Sequence, residues 1–160
     1  MKIVVNALSA RLGGGQTYLV NLLRHIPDRD DLSILVFAPE DLDLPEHPRV
    51  RRLSPSWPTK NPLLRTVWEK FMLPRFLRSQ GAEILFCPGG VVTTPKSAGF
   101  QVVTMFRNMI PFDPRVRRSL PWGLQRLRNW ILYRVMLRSM AHADLTIFVS
   151  DYARKVIEAL

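Results

Sequence analysis

The chain has 160 residues, 47% of them hydrophobic, which is enough to bury the core of one domain and too little for two. A single cysteine, Cys87, excludes an internal disulfide framework, and His25, His47 and His142 are too scattered to form a zinc site. The formal net charge of +10 calls for an acidic partner: nucleic acid, anionic lipid or a phosphorylated substrate.

Taken in order, Lys2-Ile3-Val4-Val5-Asn6 reads as a strand, Gly13-Gly14-Gly15 as a loop, and Leu19, Leu22, Leu23 and Ile26 as one face of a helix that Pro27 halts. The opening apolar run, about five residues long, is too short for the core of a signal peptide. No apolar run reaches the roughly 18 residues of a membrane span, so the expected location is the cytosol. The glycine loop opens onto a helix N-terminus, where unpaired N–H groups of Gly14, Gly15 and Gln16 and the helix dipole can receive a phosphate. Its other reading is a tight turn that needs positive φ and binds nothing. Gly13-Gly14-Gly15-Gln16-Thr17-Tyr18 lacks the third glycine of a dinucleotide fingerprint, and no Gly-Lys-Ser/Thr follows to make a P-loop.

Leu32 to Ala38 is nearly continuous apolar sequence and suits a strand buried on both faces. A proline-rich acidic loop follows, then Val50 to Leu53, a strand whose two arginines confine it to a sheet edge. Asn61-Pro62 is an N-cap followed by proline at the first helical position. In the helix after it Leu64, Val67, Trp68 and Phe71 share a face, with Trp68 and Phe71 read as core, and Arg65 and Glu69 stand i, i+4. Pro74 must kink or restart that helix, and Gly81 ends it.

Ala82 to Cys87 is the fourth strand, and Pro88-Gly89-Gly90 is a glycine turn at its carboxyl end, where ligands bind in open parallel sheets. Gly89 and Gly90 are therefore expected beside Gly13 to Gly15, either as ligand contacts or as an ordinary turn. Phe100 to Phe106 is the fifth strand, leading to Arg107 and Asn108, and an arginine there can pair with a phosphate through two parallel hydrogen bonds. Trp122 to Met140 predicts a long helix with apolar residues on more than one face. Either it lies on an anionic bilayer, with Arg117, Arg118, Trp122, Arg126 and Trp130 as contacts, or it packs on the sheet with its arginines snorkelling to water. Eight arginines from Arg107 to Arg138 face one acid, Asp113. Asp144 to Val149 is the sixth strand, Ser150 caps a last helix, and the stop at Leu160 within that helical pattern implies a longer protein.

Strands alternating with helices give an α/β, Rossmann-like doubly wound sheet, mainly parallel, of about six strands. Lys2 to Asn6 with Gly13 to Gly15, Ile84 to Gly90, Asn108 to Phe112 and Phe148-Val149-Ser150-Asp151-Tyr152-Ala153-Arg154 together resemble family 4 glycosyltransferases along the whole chain. The resemblance implies that residues 1–160 are the N-terminal, acceptor-binding domain of a GT-B architecture, with a C-terminal donor-binding domain absent. It implies transfer of a sugar from a nucleotide sugar to a hydroxyl of a glycan or lipid-linked acceptor, with retention. No metal is obligatory and no cofactor is needed, the nucleotide sugar being a co-substrate. Many relatives carry a histidine after the fifth strand; Phe106-Arg107-Asn108 stands there instead, so no catalytic residue is carried over.

A second reading, from another class, is a basic non-catalytic module for anionic membrane or nucleic acid. No RNA-binding or helix-turn-helix signature accompanies the arginines, which sets nucleic acid aside, whereas a peripheral position on the inner membrane face explains the same charge. A nucleotide-sugar modifying enzyme is disfavoured by the absence of a Tyr-x-x-x-Lys pair.

Overall fold

The computed structural model describes residues 1–11, 13–55, 60–95, 99–121 and 123–159. Six strands form one parallel sheet: β1 (Lys2–Asn6), β2 (Ser33–Phe37), β3 (Val50–Leu53), β4 (Ile84–Cys87), β5 (Gln101–Phe106) and β6 (Leu145–Phe148). Their order across the sheet is β3-β2-β1-β4-β5-β6. The chain thus winds outward from β1 in one direction and from β4 in the other, and the point of reversal lies between β1 and β4. In such sheets the carboxyl ends of the two strands at the reversal part from each other and open a crevice. β1 runs there into the first glycine loop and β4 into the second.

The strand alternation sends neighbouring side chains to opposite faces, and each face finds its own helices. Val5, Ile34 and Val36 pack against Leu19 and Leu23 of α1 (Gly14–Arg24). Val4, Leu35, Phe37, Leu85 and Val102 meet Trp68, Leu73 and Leu77 of α2 (Pro62–Phe71) and α3 (Leu73–Ser79). The break between α2 and α3 falls beside Pro74, and Gly81, at φ 60°, closes the second piece. Asn61 caps α2, its side-chain oxygen accepting from the Leu63 N–H at 2.8 Å.

A third cluster gathers Phe106, Phe112, Met136 and Ala153, joining β5 to α5 (Leu124–His142) and α6 (Asp151–Glu158). Phe106 shares its strand face with Val102, so α5 lies on the side of α2 and α3. The Ser139 hydroxyl fastens α5 to the loop after β4 by accepting the Val92 N–H at 2.9 Å. The opposite face of β4, β5 and β6 is open, and Ile84, Phe86, Val103 and Ile147 line an apolar groove there beside α1. A short helix, α4 (Pro114–Ser119), precedes α5; its Asp113 cap accepts the Arg115 N–H at 2.8 Å, and Pro114 fills the first position.

One core assignment fails. Trp68 is 3% exposed, but Phe71 is 56% exposed, and Leu64 and Val67 also face outward. α2 is rotated so that Glu69, 8% exposed, takes the inward place beside Trp68. A carboxylate can sit there because its oxygens are occupied: Oε1 accepts from Asn6 Nδ2 at 2.9 Å, and Oε2 from the Thr93 hydroxyl.

Candidate functional site

The site is built at the reversal point. Gly13 holds φ 60° and ψ −138°, a conformation that side chains with a Cβ avoid, and this turn aims the first residues of α1 at the crevice. The N–H groups of Gly14 and Gly15 are the first in the helix, so no intrahelical carbonyl is available to them. The Gln16 N–H is already engaged with the Gly13 carbonyl at 3.0 Å, and its side-chain amide donates to the Arg11 carbonyl at 3.0 Å. Gly14 and Gly15 therefore remain as the donors of the loop. A Cβ on Gly14 would meet nothing within 4 Å, so neighbouring protein atoms do not require glycine there. Close approach of a ligand to the backbone would.

Arg107, just past β5, comes to the same place. Its Nη1 donates to the Gly14 carbonyl at 3.2 Å, and its guanidinium carbon lies 4.9 Å from the centre of the Tyr18 ring. Burial pushes the Tyr18 hydroxyl above its ordinary pKa, with the positive charge of Arg107 acting against that rise. The Arg107 Nε is shielded from solvent and has no hydrogen-bond partner among the described residues. Arg107 is thus an anchored cation beside a helix N-terminus, and both carry the same sign. Two like-signed elements held together create a field that an anion would relieve.

Asn108 turns inward on its own loop, its Oδ1 accepting the Ile110 N–H at 3.1 Å. Gly89 lies against Ser9 of the loop between β1 and α1, where a Cβ would collide with the Ser9 hydroxyl oxygen. Gly90, at φ 75°, packs against the Met105 carbonyl and the end of Met136. The crevice therefore brings together Gly13, Gly14, Gly15, Gln16, Gly89 and Arg107, whereas Asn108 and Gly90 are committed to local turns.

A buried polar cluster beside them was not apparent from the sequence. Asn6, the last residue of β1, leaves its Oδ1 buried without a partner among the described residues while its Nδ2 serves Glu69. Arg65 stands 3.8 Å from Glu69 and reaches the Leu8 carbonyl at 3.4 Å. Burial, reinforced by the Glu69 charge, pushes the Cys87 thiol far above its ordinary pKa. The one available signal was an asparagine ending an apolar strand, which marks a polar group drawn into the crevice rather than continued core.

Of the five membrane candidates, Trp122 and the side chain of Arg117 lie outside the described residues. Arg118, Arg126 and Trp130 line a pocket of about 360 Å³ between α4 and α5. α5 divides along its length: Met136 and Ser139 are buried, while Leu124, Leu127, Trp130 and Ile131 are exposed. Among the described residues no helix is long and apolar enough to cross a membrane, and no three His, Cys, Asp or Glu side chains converge on a metal position.

Comparison with curated proteins and with solved structures finds no match. The family model described as Glycosyltransferase Family 4 matches residues 12–160, a span that takes in the glycine loop, every helix and all strands but β1. With its six-stranded parallel sheet, its helices on both faces and its crevice at the reversal point, the chain belongs to glycosyltransferase family 4.

Proposed function

We propose that residues 1–160 are the acceptor-binding half of a retaining glycosyltransferase that draws its sugar from a nucleotide-sugar donor and works at the cytosolic surface of an anionic membrane. A second α/β domain would supply most donor contacts and close over the crevice. The observation that carries this reading is the convergence of Arg107 with the Gly14 and Gly15 N–H groups at the reversal point.

As the anomeric bond breaks, negative charge builds on the departing nucleoside diphosphate. Fixed N–H donors and a fixed guanidinium stabilise that charge without reorganising, and one such donor is worth roughly 100- to 1,000-fold in rate. Arg107 is held by the Gly14 carbonyl and the Tyr18 ring, so its charge is fixed beside the loop, with Nη2 left to face a phosphate oxygen. The exposed apolar and basic side chains of α4 and α5 support the membrane position, since a surface of this kind suits an anionic bilayer.

The test is transfer itself. The 160-residue chain alone is expected to show no sugar transfer from any nucleotide sugar. Joined to a donor-binding domain, it is expected to transfer with the donor's anomeric configuration kept, read from the proton coupling of the product. Transfer by the chain alone, or an inverted product, would overturn the proposal.

A further inference from the structure

We propose that the pocket between α4 and α5 holds the phosphate group of an anionic lipid; this rests on the membrane position proposed above and specifies the ligand. The pocket has a volume of about 360 Å³, and its lining includes Pro111, Arg118, Arg126, Asn129, Trp130 and Tyr133. No acidic side chain is among the described residues that line it. Two guanidinium groups on adjoining helices and an amide line the same pocket, and these are donor types that suit phosphate oxygens. The volume stands near the lower end of the roughly 300–1,000 Å³ of small-ligand sites, room for a phosphate head and the group beside it.

The surroundings select the lipid. Leu124, Leu127 and Ile131 follow at i, i+3 and i+7 along α5, exposed, with the exposed Trp130 on their flank. A phosphodiester backbone offers nothing to cover aliphatic side chains, whereas the boundary between headgroups and acyl chains buries them and favours tryptophan. Chain geometry then links this pocket to the crevice. Pro111 is four residues beyond Arg107, so their Cα atoms are at most about 14 Å apart.

The experiment uses the whole 160-residue chain with vesicles of phosphatidylcholine doped with phosphatidic acid or phosphatidylserine at matched surface charge. Preference for phosphatidic acid, with its less substituted phosphate, is expected at about tenfold, the scale of one additional charge-assisted contact. Arg118→Gln with Arg126→Gln is expected to abolish the preference. Arg128→Gln with Arg138→Gln, two exposed arginines of α5 that do not line the pocket, is expected to weaken both lipids alike and keep it. In parallel, soluble glycerol phosphate is expected to shift the Trp130 indole N–H resonance, assigned through Trp130→Phe, and the Arg118 and Arg126 double variant to cancel the shift. Equal binding of both anionic lipids by the unaltered chain would overturn the pocket and leave membrane contact standing. No binding to any vesicle would overturn membrane contact and lipid together, even with a glycerol phosphate shift, which would then identify a soluble phosphate ester.

Discussion

Adjacent glycines with opposite constraints separate folding from binding. Gly13 needs its backbone conformation, so Gly13→Ala is expected to cost about 1–3 kcal/mol of stability in urea unfolding. Gly14 is unconstrained by its neighbours, and Gly14→Ala is expected to leave the unfolding midpoint unchanged or slightly raised while weakening pyrophosphate binding. A glycine triplet alone could not distribute these roles, because the sequence does not say which residue takes the positive φ. Cys87 offers a pH test. Its thiol is held neutral by burial and by Glu69, so its folded pKa lies above the unfolded one. The stability this brings is fully present below the unfolded value, about 8.5, and is lost as pH rises beyond it, by up to about 1.4 kcal/mol per pH unit. Relative to Cys87→Ala, the unaltered chain should therefore lose stability above that pH, and a parallel course for both would refute it.

At the level of elements the sequence was most informative where one physical rule acted alone. β1 and β3 lie where the apolar run and the two arginines of the edge strand put them, and Asn61-Pro62 starts α2 as capping chemistry requires. α4 has the same cap-and-proline signature in Asp113-Pro114, but its six residues, three of them arginines, are too short and too polar to show the apolar periodicity of a helix. The buried face of α2 is not its apolar face, because its apolar residues outnumber its inward ones. What turned it was a tertiary pairing: Glu69 is tied to Asn6 and Thr93, partners 63 and 24 residues away that no local periodicity reveals. Trp68→Ala is expected to cost about 3–5 kcal/mol. Phe71→Ala, at an outward position, should stay within about 0.5 kcal/mol. Equal losses in chemical denaturation would restore Phe71 to the core.

For the whole molecule, the parallel sheet follows from the alternation of strands and helices and the family from the resemblance of its motif segments, but the site needed the strand order. Gly14 and Arg107 are separated by 93 residues in sequence, and only the reversal between β1 and β4 places the end of β5 near the start of α1. The same winding gathers the arginines of α4 and α5 on one side of the sheet, where net charge becomes a local field rather than an average. The proposed function requires that convergence to be an anion site. Titration of pyrophosphate into the 160-residue chain by calorimetry, at low salt, tests it most directly. Saturable binding is expected, weakened by about ten- to a hundredfold in Arg107→Gln through loss of one charge-assisted hydrogen-bonding group. Absence of binding, or equal affinity in the variant, would contradict the site.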